Sequence, residues 1–170
     1  MATDKADMVD QQSGCHCATL RKASRCISQI YDAVLAPSGL KATQLAILVQ
    51  IRRSEPTTVS ALAATLVMDA GGLTHTLKPL KRHGLVEISI DPEDRRHRLI
   101  RLTPAGRTKL AESDALWDKA QRGFETAYGS VEAGALREAL RILVSGNFIE
   151  TFERAISESS GDLAAQSSAR

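Results

Sequence analysis

Residues 69–106 read DAGGLTHTLKPLKRHGLVEISIDPEDRRHRLIRLTPAG, and their order decides the fold. Leu73, Leu77 and Leu80 recur at four and three residues, the spacing that places side chains on one face of a helix. Lys78, Lys81 and Arg82 lie off that stripe. Asp69 offers an N-cap oxygen before it, and Gly84 offers a residue free to take positive φ after it. Leu85–Ile90 then alternates and is rich in β-branched residues. A charged loop, Asp91–His97, leads to a second alternating run, Arg98–Thr103. Two short strands around a loop predict a β-hairpin. A helix followed by a hairpin, both carrying lysine and arginine, is the reading half of a winged helix.

Charge follows the same division. The chain carries 22 Lys/Arg and 20 Asp/Glu, a net of +2. Between Lys78 and Lys109 stand nine cationic and four acidic residues, a local net of +5, so the remainder is net −3. A nearly neutral protein thus gathers its positive charge on the helix and hairpin. Phosphate neutralisation needs that local concentration more than a high overall pI. A solvated charged hairpin is the bland alternative. The coincidence of charge, helix and hairpin favours double-stranded DNA as partner.

The rest of the 170 residues fits one domain, or one protomer of an interlocked dimer. No run of about eighteen apolar residues occurs, so no membrane span is expected. The first fourteen residues, MATDKADMVDQQSG, lack an apolar stretch of the kind a signal peptide needs. They read as a disordered arm (1–14), and the polar end reads as a disordered tail (158–170). Three cysteines at 15, 17 and 26, with no signal sequence, fit a reducing cytoplasm rather than a disulfide scaffold.

Residues 17 to 36 show helical periodicity through Leu20, Ala23, Ile27, Ile30, Tyr31 and Val34, ended by Pro37-Ser38-Gly39. Thr43–Arg53 predicts a second helix, with Leu45, Leu48 and Val49 inward. Pro56-Thr57-Thr58 predicts a turn that caps a third, Val59–Val67. With the helix over residues 70–83 these form a helix-turn-helix core. Thr103-Pro104 predicts the start of a long helix, since Thr caps and Pro at the first position gives up an N–H that has no partner there anyway. That helix is expected to reach Tyr128, and a last one to run from Val131 to Ile156. The predicted class is mainly α (α+β), a winged helix-turn-helix at 41–103 with terminal helices at 15–40 and 104–157. Those helices carry apolar stripes too large for the small lobe to cover, which predicts burial in a homodimer; an intramolecular bundle is the alternative.

The residues resemble the MarR (multiple antibiotic resistance regulator) family of bacterial winged-helix regulators. The resemblance rests on Leu73-Thr74 with Leu77 and Leu80, Gly84-Leu85-Val86, Asp91-Pro92-Glu93-Asp94-Arg95-Arg96, and Leu102-Thr103-Pro104-Ala105-Gly106, in this order. It extends more loosely over about residues 17 to 156. It implies a cytoplasmic homodimer, most simply a repressor, that binds a short pseudo-palindromic operator. On the reading helix Thr74, His75 and Lys78 are expected near base edges, and Lys81 and Arg82 near the backbone. By resemblance Arg96 enters the minor groove and Asp94 orients a nearby arginine; Arg95 is a phosphate candidate, and Arg98 lies beside them on the wing. Gly71-Gly72 departs from a Ser/Thr pair common in the family and predicts a soft helix start. Pro79 cannot donate to the His75 carbonyl, which predicts a kink or a wetted turn.

For signal sensing, Cys15-His16-Cys17 opens the first helix, where the helix terminus favours thiolate. Counted back from Gln44 without gaps, Cys17 falls at the place of the cysteine used by the family's hydroperoxide-sensing branch. Tyr31 matches one of its tyrosines, and Arg21 stands where another would be. Inert thiols, a thiol redox switch and a Cys-His-Cys metal cluster all remain open. The family's other route is a small aromatic or lipophilic effector, for which Tyr31, Leu35, Leu48, Trp117 and Phe124 are candidate linings, each of them read first as plain core. No metal or cofactor is expected: His75 has no second ligand at helical spacing, and no nucleotide, hydrolase or zinc-protease motif occurs. A thiol peroxidase-like enzyme and a helical protein-interaction module are the remaining function classes.

Overall fold

A computed structural model describes the backbone of residues 14–167 and side chains as far as residue 158. In chain order the elements are α1 (His16–Leu35), a 3₁₀ turn (Ala36–Ser38), α2 (Ala42–Ser54), β1 (Thr57–Thr58), α3 (Val59–Thr65), α4 (Ala70–Arg82), β2 (Val86–Ile90), β3 (Arg98–Leu102), α5 (Pro104–Tyr128), α6 (Ser130–Leu143) and α7 (Gly146–Ser167). The chain divides into two compact units, one ending at Gln121 and the other beginning at Arg122, so the border falls inside α5.

The first unit is a winged helix built on one apolar cluster. Leu35, Leu48, Ile51, Leu73, Leu80 and Ile100 are completely buried, joined by Leu45, Ile47, Leu62, Leu77 and Leu110. The predicted leucine stripe of α4 is therefore its core face. The buried set on α2 is wider than expected, because Ile47 and Ile51 are buried as well. Asp32 on α1 accepts the Ala42 N–H at 2.7 Å, capping α2 from the neighbouring helix.

The sheet has order β1-β3-β2, antiparallel throughout. The hairpin pairs Val86 with Leu102, Ile88 with Ile100 and Ile90 with Arg98. The third strand was not foreseen: Thr57 and Thr58, read as a turn, pair with Ile100 and Leu99. Thr58 still caps α3, its Oγ1 accepting the Ala61 N–H at 3.1 Å. That helix stops at Thr65 rather than Val67, because Val67 takes the left-handed conformation, φ 51°, to turn the chain toward α4.

In the second unit, Gly129 at φ 96° ends α5. The single last helix expected over Val131–Ile156 is two helices. Ser145 interrupts it: its Oγ donates to the Ile142 carbonyl at 2.8 Å and accepts the Phe148 N–H at 3.2 Å, so it closes α6 and caps α7. α7 continues to Ser167, into the residues read as a tail at 158–170. The expected arm falls almost wholly on residues 1–13, outside those described, and Gly14 lies in a turn. Among the described residues no single helix is long and apolar enough to cross a membrane.

Candidate nucleic-acid interface

α4 is fixed at both ends by the residues that mark its boundaries in the sequence. Asp69 Oδ1 accepts the Gly72 N–H at 2.7 Å, and Gly84 at φ 68° turns the chain toward β2. A Cβ on Gly72 would come within 2.7 Å of the Asp69 carboxylate, which is one reason a glycine suits a residue beneath this cap. The helix continues through Pro79, flanked by the buried Leu77 and Leu80. Thr74, His75, Lys78, Lys81 and Arg82 are all exposed, opposite the leucine stripe. Thr74 Oγ1 donates to the Ala70 carbonyl at 2.7 Å, leaving its lone pairs outward.

The wing tip is shaped by its own carboxylates. Asp91 Oδ1 accepts the Glu93 N–H at 2.9 Å, Asp94 Oδ1 accepts the Arg96 N–H at 3.0 Å, and the Asp94 carbonyl accepts the His97 N–H at 2.9 Å. Asp94 also grips the Arg96 guanidinium: Nη2 donates to Oδ2 at 2.7 Å and Nε to Oδ1 at 3.0 Å. The arginine that Asp94 orients is thus Arg96 itself, although the Arg96 side chain is 88% exposed. The Arg96 guanidinium and its backbone N–H hold the Asp94 carboxyl down at about 2, with a smaller contribution from His97, whose Nδ1 lies 3.8 Å from Oδ2. The same bond raises the Arg96 pKa. Arg95 is exposed, as is Arg98 on β3 opposite Ile90.

The base of the wing is closed by Thr103. Its Oγ1 donates to the Gly84 carbonyl at 2.6 Å and accepts the Gly106 N–H at 3.0 Å, while its own N–H donates to the Leu85 carbonyl at 3.1 Å. One residue therefore caps α5 and ties it to the end of α4. Gly106 packs directly on the Leu85 carbonyl oxygen, leaving no room for a Cβ.

These parts appear in known proteins. The sequence model of the MarR family matches residues 40–97. The HTH-type transcriptional repressor NicR of Pseudomonas putida is 30% identical over 115 residues, 68% of this chain and 71% of that protein. The chain belongs to the MarR family. HTH-type transcriptional regulator SarZ of Staphylococcus haemolyticus is 26% identical over 132 residues, covering 78% of this MarR-family chain and 88% of SarZ. The M. tuberculosis transcriptional regulator MosR, solved in complex with DNA, superposes with a TM-score of 0.70 at 35% identity, covering 76% of this chain and 93% of that one. Like these relatives, the protein is a transcriptional regulator with a winged helix-turn-helix.

A cavity of about 380 Å³ lies in the first unit. Its apolar lining comes from Leu45, Val49, Leu66 and Trp117, and its polar lining from Gln50, Arg52, Arg53 and Asp114. Trp117 was a predicted lining residue. Leu35 and Leu48 are core residues instead, and Tyr31 packs edge-on against Trp117 at 5.4 Å while its hydroxyl donates to Gln121 Oε1 at 2.9 Å. Phe124 lies in the second unit, against Tyr128. Cys15, Cys17 and Cys26 are free and exposed; Cys15 and Cys17 flank the start of α1. Among the described residues no His, Cys, Asp or Glu cluster is arranged to hold a metal ion.

Proposed function

We propose that this protein is a cytoplasmic repressor that binds a short inverted repeat in double-stranded DNA as a homodimer. The observation that carries the reading is that one small lobe presents two cationic probes of different kinds. Thr74, His75 and Lys78, with Lys81 and Arg82 behind them, stand exposed on a helix capped at both ends. Arg96 stands on the wing with its guanidinium pre-aimed by Asp94. A helix suits the major groove, and an arginine held on a hairpin tip suits the minor groove, where negative potential is focused. The DNA complex of MosR, at 35% identity, supports the same assignment.

Support for the homodimer comes from the second unit and from α1. Val131, Ile142, Val144, Phe152 and Ile156 are each more than half exposed, as is Ile30 on α1. Apolar residues in that number call for a covering surface, and a second copy supplies one by symmetry. A two-fold pair of reading helices then spans about 34 Å, one turn of duplex. Release by a small aromatic or lipophilic effector fits the cavity beside Trp117. Release by thiol oxidation fits the exposed Cys15 and Cys17, with Tyr31 nearer the helix end. The role is that of a regulator rather than an enzyme: a sensing thiol reacts once per protein, where a peroxidase turns over.

The test is a mobility shift with the promoter of the protein's own gene, titrated against salt. Arg96→Ala leaves the Asp94 charge facing DNA, so it should weaken binding and reduce the slope of log K against log salt by roughly one. An unchanged affinity and slope refutes the wing assignment. A monomer in sedimentation, indifferent to palindromes, refutes the dimer.

A further inference from the structure

The wing strand β3 has a carboxylate where its neighbour runs out. β1 pairs Thr57 with Ile100 and Thr58 with Leu99, then ends. Continuing that register would set Glu55 opposite Leu102. The Thr103 N–H donates to the Leu85 carbonyl on the β2 side, so alternation turns the Leu102 N–H toward the β1 side. No backbone acceptor of β1 reaches it. Glu55 Oε2 takes its place, accepting that N–H at 2.7 Å. The other oxygen, Oε1, pairs with Arg107 Nη2 at 2.5 Å in the first turn of α5. The Glu55 side chain is only 13% exposed.

Glu55 thus joins three elements: the end of α2, the inner end of the wing strand and the start of α5. α2 and α5 are also the two helices that contribute most of the cavity lining. We infer that Glu55 is a positioning residue for DNA reading, whose carboxylate sets the wing, and with it Arg96, according to how α2 and α5 are placed. The inference rests on the DNA-binding reading above. Its mechanism is a shared acceptor: if α2 moves against α5, Glu55 keeps either the Leu102 bond or the Arg107 pair, and the wing base shifts with the choice. Breaking the Leu102 bond leaves a buried N–H without a partner, which the strand relieves only by moving.

The experiment is a double-mutant cycle on the full chain and its own promoter, with operator affinity as readout. Glu55→Ala should weaken binding about tenfold, a coupling of ordinary size for residues in one network. Adding Arg96→Ala to it should then cost less than about threefold, because the arginine is already misplaced. Glu55→Gln keeps an acceptor for Leu102 and should recover most of the affinity, while Arg107→Gln breaks only the ion pair and should give a smaller loss. Circular dichroism at the assay temperature establishes that each variant is folded; where Glu55→Ala is not, Arg107→Gln with Arg96→Ala completes the cycle. Fully additive losses, or wild-type affinity in folded Glu55→Ala or Arg107→Gln, overturn the inference. Wild-type protein that ignores its promoter overturns the DNA-binding reading instead, and an Arg96→Ala variant that binds normally overturns the wing assignment.

Discussion

Gly106→Ala should be among the most damaging single-methyl additions in the winged helix. Gly106 is in the first turn of α5 and buried. An added Cβ would overlap the Leu85 carbonyl oxygen, and would stand 3.0 Å from the Leu85 carbonyl carbon and 3.4 Å from Leu102 Cδ2. The oxygen cannot swing aside, because it is backbone and already accepts the Thr103 N–H at 3.1 Å. Either α5 backs away from β2 or the Thr103 bond breaks. Overpacking of this kind costs about 1–3 kcal/mol, and loss of one buried hydrogen bond adds about 1. Helix propensity returns up to about 1 kcal/mol. The net expectation is a loss of about 2–3 kcal/mol, or roughly 4–12 °C in Tm for a chain of this size. Gly123→Ala is the internal control: it also lies in α5, but its Cβ would meet nothing within 4 Å. It should be neutral or stabilising by up to about 1 kcal/mol. Urea and thermal unfolding of the two variants, followed by circular dichroism, make the comparison. Equal midpoints for both would refute the close approach of α5 to β2.

Three further outcomes are expected. Val67 holds φ 51° and is 72% exposed, so Val67→Gly should relieve about 1–2 kcal/mol of left-handed strain and return under about 1 to unfolded-chain entropy; a lower urea midpoint than wild type would refute the strain. Asp69→Ala removes the acceptor for the Gly72 N–H and should cost about 1 kcal/mol; an unchanged midpoint would show that the cap is idle. Asp94 is lowered to about 2 by Arg96, so the pair's contribution is complete above the ordinary carboxylate range and is lost only as pH falls through about 2. Carbon-13 titration of that carboxyl should therefore show little change until pH falls below about 3, and a midpoint near 3.8 would mean the pair does not form.

Local chemistry made much of this molecule readable. The caps of α4, the hairpin and the Thr103-Pro104 start of α5 each depend on residues within a few positions of one another. That Asp94 orients an arginine came from the family resemblance, and the structure shows the arginine to be Arg96, two residues on. What escaped depends on distance or on brevity. A two-residue strand has no periodicity, so Thr57 and Thr58 carried no signal beyond a turn. Glu55 acts on Leu102, 47 residues away, and nothing near it in the chain announces that bond. Ser145 sits among apolar residues at continuous helical spacing, so its double use as stop and cap was masked by the pattern. The conformation of Val67 runs against the preference of a β-branched residue, and propensity argues against it at that position. Leu35 and Leu48, readable as core or as lining, are core; sequence could not separate the two because a leucine looks the same whether it faces a void or a packed core.

Thr103 carries one more consequence. It and Gly106 pin the two feet of the hairpin to each other and to the long helix, so the span between Gly84 and Thr103 behaves as a closed loop on a fixed foundation. Residues inserted at its tip, or a tip borrowed from a relative, would lengthen the reach of the hairpin at small entropic cost and leave the helix beside it in place. The fold is in that sense a socket: new groove preferences can be installed by exchanging 91–97 alone.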